Sequence, residues 1–344
     1  MDLTVVVPTL NGRDRLAGCL DALAAHAPDA EVVVVNGPSA DGTTGMVRDR
    51  TDVDVLVEIS DRTVNVARNA GIEVATGDRI ALVDYDNRIR DGWRAAVEDG
   101  LTDADVVTGP VITVDSAMAA AASDTTRSTP TSADAEEGTL TDANEGAPTD
   151  ANENPSTAAQ QGPERRRIAG RSVTYFAGGN VAFDRETLRD LDGFDEYLRI
   201  GGSRDAAHRL AQMDHTVAWR GEMAVSHAPS APTAVDGGRT PHEWGWKYRA
   251  LSYRLLKNYG IRPTVFTRAG AHAAKDAIAS ARDVVGGDST PSTWAATGRD
   301  VIVGLVGGGS DGFVSRRRDR SLARNPNGIS TRADRAVAKY DTRD

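Results

Sequence analysis

The chain has 344 residues, with 40 Lys and Arg against 50 Asp and Glu and a net charge of −10 at pH 7. That length can bury one large core or two modest ones, and the acidity argues against a nucleic-acid binder. A single cysteine, Cys19, excludes an intramolecular disulfide and a cysteine-rich zinc site, and no run approaches the roughly 20 apolar residues of a bilayer span. Lysine is scarce, four against thirty-six arginines, and an acidic, lysine-poor surface is expected of a halophilic cytoplasm, where carboxylates hold hydration at high salt.

Leu3 to Val7 is an apolar, β-rich run with no basic stretch before it, so it reads as a buried first strand and no secretory leader is expected. Leu16, Cys19, Leu20 and Leu23 recur at i, i+3, i+4 and i+7, the stripe of an amphipathic helix that makes Cys19 a small core residue. Glu31 to Val35 is a second strand ending at the loop signal Asn36-Gly37-Pro38, and Val53 to Ile59 is a third. Val64 to Ala75 reads as a helix closed by Gly77, and Arg79 to Val83 and Val106 to Val114 read as further strands. Strands alternating with helices predict parallel β-α-β units, whose ligands sit beyond the carboxyl ends of the strands. Asn36 and Asp84 follow strands directly, so both are expected on that rim.

Residues 116–165 are Ala, Thr, Ser, Asp, Glu, Asn and Pro with no aromatic, too polar to offset their ordering entropy, and read as a disordered acidic insertion. It contains a short repeat, Thr141-Asp142-Ala143-Asn144-Glu145 and Thr149-Asp150-Ala151-Asn152-Glu153. Residues 1–115 and 166–230 are then the two halves of one interrupted domain. Residues 231–285 read as helical and basic: nine Lys or Arg and two acids, Glu243 and Asp276, lie between Arg239 and Arg282. Trp244, Trp246, Tyr248, Tyr253 and Tyr259 are interleaved with the cations. This pattern suits the boundary of an anionic membrane, and equally a helix packed on the domain. Residues 286–344 are Gly- and Arg-rich and read as a flexible tail.

Asp84-Tyr85-Asp86 follows the apolar run Ile80 to Val83. Two carboxylates at a strand tip can share Mg²⁺ or Mn²⁺, which take one or two carboxylates plus substrate phosphates. A cation there would neutralise a diphosphate leaving group. A solvated acidic turn has the same local sequence.

Further segments in chain order separate the two. They are Val5-Val6-Val7-Pro8-Thr9-Leu10-Asn11-Gly12, Asn36-Gly37-Pro38-Ser39-Ala40-Asp41-Gly42-Thr43, Ala67-Arg68-Asn69-Ala70-Gly71, Gly178-Gly179-Asn180-Val181-Ala182-Phe183, Gly193-Phe194-Asp195-Glu196 and His227. With Asp84 and Asp86 they resemble the family 2 glycosyltransferases, and among these the haloarchaeal enzymes of lipid-linked glycan assembly. The resemblance covers about 1–114 and 171–228 and implies a GT-A fold: an α/β, Rossmann-like, mostly parallel sheet with helices on both faces, followed here by a helical C-terminal segment. It implies that Pro8, Thr9 and Asn11 border the nucleotide. It places Arg68 beside the sugar diphosphate, Asp84 by the ribose or sugar, and Asp86 with His227 on the metal. Many relatives have an acidic residue at the position of Asn36; an amide both donates to and accepts from a base edge, so the nucleotide is left open.

The sequence departs from the family where many relatives carry Glu-Asp. Gly202 and Ser203 stand there, and the nearest acid is Asp205, the candidate catalytic base, which would share a helical face with His208 and Arg209. A sugar hydroxyl needs a base to take its proton, whereas a phosphate oxygen does not. The expected activity is therefore inverting transfer of a sugar from a nucleotide diphospho-sugar to a lipid-linked glycan or polyprenyl phosphate, in protein N-glycosylation or surface polysaccharide assembly. The expected place is the cytoplasm, peripheral on an anionic membrane. A non-catalytic binding partner and a nucleotidyltransferase are the rivals; Asn11-Gly12-Arg13 is a poor phosphate loop for the latter.

Overall fold

The computed structural model describes residues 2–113, 162–227, 244–286 and 290–343. The acidic insertion expected over 116–165 falls outside these residues as far as position 161.

The first half alternates as its apolar pattern requires. β1 (Leu3–Thr9), β2 (Glu31–Asn36), β3 (Val55–Ile59) and β4 (Arg79–Val83) are separated by α1 (Arg13–His26), α2 (Thr43–Arg48) and α3 (Val64–Val74). β1 pairs parallel with β2 and β4, and β2 pairs parallel with β3. After β5 (Asn87–Ile89), α4 (Trp93–Asp103), β6 (Val106–Thr108) and β7 (Val111–Thr113), the chain re-enters through β8 (Arg165–Ile168), β9 (Arg171–Thr174) and β10 (Asn180–Asp184). β10 inserts antiparallel between β4 and β6, and β11 (Val217–Trp219) lies parallel beside β6. Alternate residues of β1 supply both faces of this sheet. Leu3, Val5 and Val7 pack with Leu16, Cys19, Leu20 and Leu23 of α1, while Val6 packs with Val66, Ala67 and Ala70 of α3. Helices on both faces of a mainly parallel sheet are the expected GT-A architecture.

A second, three-stranded sheet sits at the rim. β12 (Val225–His227) pairs antiparallel with β5 and parallel with β7. Its last residue, His227, lies opposite Asn87 and Thr113.

In the C-terminal part, one open alternative is narrowed and one expectation needs correction. The basic segment contains α7 (Trp244–Tyr259) and α8 (Pro263–Gly286), following α5 (Arg185–Leu191) and α6 (Gly202–Gln212). In α7, Tyr248, Tyr253, Tyr259 and Lys257 are buried: Tyr253, Tyr259 and Lys257 meet Asp195, His208 and Asp205 of the main domain, and Tyr248 donates to Asp276 of α8, which fits the packed-helix alternative for these four residues. The expected flexible tail, 286–344, is folded over positions 290–343. It forms α9 (Pro291–Arg318), and β13 (Ala336–Asp341) joins the main sheet antiparallel to β3. Spacing explains the misreading: Gly304, Gly308 and Gly312 recur every four residues, and a Cβ at each would land on backbone oxygens of Gly245, Arg249 and Tyr253 in α7. These glycines let two helices pack backbone to backbone. No described helix is long and apolar enough to cross a membrane.

Candidate active site

The rim where β1, β2 and β4 end carries three loops. The first two are laced together by side chains. Asn11 takes a left-handed backbone, φ 51°, and its Oδ1 accepts from the Ala40 N–H at 2.8 Å, while its own N–H donates to Ser39 Oγ at 2.8 Å. Asp41 accepts from the Arg13 N–H at 3.0 Å and from the Thr43 N–H at 3.1 Å. Burial pushes the Asp41 carboxyl up, but these donors outweigh it and hold the group below its ordinary value. Pro8 and Thr9 close β1 beneath this lacing, and the buried Thr9 Oγ1 has no hydrogen-bond partner among the described residues.

Asn36 does not present its amide outward as expected. It is 1% exposed; its Nδ2 donates to Thr44 Oγ1 at 3.0 Å and its Oδ1 accepts from Ser39 Oγ at 2.7 Å. It holds the second loop from beneath.

The third loop is Asp84-Tyr85-Asp86. Asp84 follows β4, and its carboxylate accepts from Arg68 Nη2 at 3.4 Å. Arg68 projects from α3 fully buried, its guanidinium 5.4 Å from the centre of the Phe194 ring. Gly178 and Gly179 make room for this pair. A Cβ at Gly178 would come within 2.7 Å of Arg68 Nη2, and one at Gly179 would land on the Asp84 carboxylate. Tyr85 lies over Gly12, where a side chain would overlap its ring. Below the loop, Cys19 Sγ approaches the Asp84 carbonyl at 3.8 Å, and burial pushes its thiol well up, as befits a core residue.

Asp86 meets His227, brought from the far end of the domain by β12. His227 Nδ1 is 3.7 Å from Asp86 Oδ1 and 3.3 Å from Asn87 Oδ1. Arg15, one turn into α1, lies 3.8 Å from Asp86 Oδ2 with its guanidinium 5.1 Å from the Tyr85 ring centre. Sequence reading passed over Arg15; its only signal was its place one turn after Asn11-Gly12. Side-chain exposure of 11–26% at Asp86, His227 and Arg15 leaves this corner open to a ligand. A carboxylate and an imidazole together suit Mn²⁺ better than Mg²⁺, which prefers oxygen. Among the described residues no group of three or more His, Cys, Asp or Glu is arranged to hold a metal, so phosphate oxygens and water would complete the shell.

Asp205 is not placed as a base. It is fully buried in α6, where it accepts from Arg209 Nε at 2.9 Å, Lys257 Nζ at 2.7 Å and Asn258 Nδ2 at 2.8 Å. Lys257 also binds Asp195 at 2.7 Å, and Tyr253 donates to Asp195 at 2.8 Å. Burial pushes the Asp205 carboxyl up, and the Lys257 and Arg209 charges beside it prevail and hold it below the ordinary carboxylate value. A carboxylate so held is a poor proton acceptor. Asp195, from the Gly193-Phe194-Asp195-Glu196 segment, serves the same interior network that clamps α7 onto the domain.

The family model for glycosyl transferase family 2 matches residues 4–191. The chain belongs to this family. It is 39% identical over 101 residues to the succinoglycan biosynthesis protein ExoO of Rhizobium meliloti, covering 28% of this chain and 29% of that protein. It is 30% identical over 98 residues to glycosyltransferase AglE of Haloferax volcanii, covering 26% of this chain and 32% of that protein. The chain thus spans less than a third of the length of these curated relatives. In fold it is similar to the mannosyltransferase PcManGT of Pyrobaculum calidifontis, solved with GDP-Man and Mn²⁺, at 19% identity and a TM-score of 0.50 over 88% of this chain and 86% of that one. That likeness supports the GT-A architecture.

Proposed function

We propose that this family 2 chain transfers a sugar from a nucleotide diphospho-sugar, with inversion, to a lipid-linked glycan or polyprenyl phosphate, in protein N-glycosylation or surface polysaccharide assembly at the cytoplasmic face of a membrane. The supporting observation is the convergence of Arg68 with Asp84 and of His227 with Asp86 on one rim, from three separate elements: α3, the loop after β4, and β12. Pro8, Thr9 and Asn11 border the nucleotide, with Thr9 Oγ1 as a buried donor for it. Arg68 orients the sugar diphosphate by way of its planar fork and holds Asp84 against the sugar or ribose. Asp86 and His227 hold the Mg²⁺ or Mn²⁺, which when bound offsets the charge of the departing diphosphate. The Mn²⁺ and GDP-Man of the Pyrobaculum relative lend support to this class of donor and cation.

The interior position of Asp205 bears on the acceptor. With no carboxylate from α6 to take a proton, the acceptor is best one whose oxygen is already anionic. That oxygen bonds to the anomeric carbon as the bond from that carbon to the diphosphate breaks, and the electron pair leaves with the nucleoside diphosphate. Residues 1–115 and 166–230 act as the donor and acceptor halves of the domain, and the acidic, lysine-poor composition fits a salt-rich cytoplasm.

Thermal shift with a panel of nucleotide sugars, with and without Mn²⁺, tests the donor reading. One nucleotide sugar should raise the melting temperature in a cation-dependent way, because a ligand that binds only the folded state stabilises it. Asp86→Ala should abolish the cation dependence. No shift with any donor would overturn the reading, and a shift without turnover on any phosphate acceptor would favour a non-catalytic binder.

A further inference from the structure

α9 has one face locked to α7 and an opposite face that nothing among the described residues covers. Gly304, Gly308 and Gly312 mark the locked face. At 3.6 residues per turn, the side directly opposite carries Arg299, Ile302, Val306, Ser310, Phe313 and Arg317. Ile302, Val303, Val306 and Val314 on this side are 63%, 59%, 65% and 52% exposed. Single exposed aliphatics are ordinary, but four on one face of one helix are not.

Charge sets the partner. In a protein with 50 acids, this face carries none. The two acids of α9, Asp300 and Asp311, lie between this face and the locked one, one turn from Val303 and Val314, and Asp311 is taken up by Arg249, whose Nη2 donates to it at 2.6 Å. Arg299 and Arg317 stand at either end of the aliphatic stretch, Arg317 with its guanidinium 4.4 Å from the Phe313 ring centre. Arg316, Arg317 and Arg318 close the helix. A second copy docked antiparallel would set arginine against arginine with no acid to pair them. An apolar stripe bracketed by cations matches an interface between acyl chains and anionic headgroups.

We propose that the outward face of α9 lies flat on an anionic lipid bilayer, with Ile302, Val303, Val306 and Val314 at the acyl boundary and Arg299 and Arg317 at the headgroup phosphates. The inference rests on the lipid-borne acceptor read above, and it moves the membrane contact from α7, which is buried, to α9.

Flotation of the full chain with phosphatidylcholine vesicles, with and without phosphatidylglycerol, at about 0.15 M salt tests it. The wild type should float only with the anionic vesicles. Ile302→Asp with Val306→Asp should lower the bound fraction by about tenfold or more, since each residue loses most of its apolar transfer energy. Arg299→Gln and Arg317→Gln should each weaken binding about fivefold, the equivalent of about 1 kcal/mol per cation at the surface. All these side chains are exposed, and the donor-induced thermal shift of each variant, expected to match wild type, reports the nucleotide site separately. Failure of the wild type to float, or equal flotation of the double Asp variant, overturns the proposal. So does a wild-type dimer in solution that the double Asp variant converts to monomer, since the face would then be a self-interface.

Discussion

Asp205 shows how one residue's role turns on what its neighbours contribute. Its position in the first turn of a helix, near where relatives carry Glu-Asp, fits a base, yet Lys257 and Asn258 reach it from a helix that begins some forty positions further on. The group is ionised in the folded state at a pH where the unfolded chain would begin to protonate it. Its folded pKa is depressed, so its contribution to stability is complete above the unfolded value of about 3.9 and is lost as pH falls below it towards the folded value. Asp205→Asn should therefore cost about 3–5 kcal/mol near neutral pH, because it leaves Lys257 and Arg209 buried without their carboxylate. Urea midpoints measured from pH 3 to 7 would check this. The loss should shrink towards the acid end, where the wild type loses the same charge. A catalytic base would behave otherwise, giving a stable, inactive variant.

At the scale of elements, the docking of α9 on α7 depends on the missing side chains of three glycines. Gly308→Leu should destabilise the chain by about 1–3 kcal/mol, since even its Cβ would meet the Arg249 backbone oxygen. Gly298→Ala, earlier in the same helix, meets nothing within 4 Å and should stabilise by about 0.5–1 kcal/mol. Opposite shifts in thermal melts of the two variants would distinguish close packing from mere helix propensity. The same spacing was legible in the sequence, but glycine abundance and neighbouring arginines read as a flexible tail, because four-residue periodicity of small residues has meaning only when a partner helix is known.

At the scale of the molecule, the C-terminal residues act as a strap. Asn325 Nδ2 donates to the Asp192 carbonyl at 2.8 Å, and Asn327 Nδ2 donates to Asp195 at 2.9 Å. Arg335, fully buried, binds Glu73 at 2.5 Å and also pairs with Glu196. β13 then covers the edge of β3. Ending the chain at Arg318 would bare that strand edge and leave Glu73 and Glu196 without Arg335. The truncated chain should aggregate at lower temperature than the full chain, as followed by light scattering on heating.

The sequence by itself determined the α/β alternation, the parallel core of the sheet and the rim position of Asp84-Tyr85-Asp86, because strand and helix periodicity and strand-end loops are local properties. It also marked His227, although only the pairing of β12 with β5 sets that side chain beside Asp86. The tertiary structure alone decided that Asn36 supports a loop, that Asp205 and Lys257 are interior partners, and that α9 and β13 belong to the fold. Each of those outcomes depends on contacts between distant segments, and burial turns the same charged residue from a candidate base into a structural ion pair.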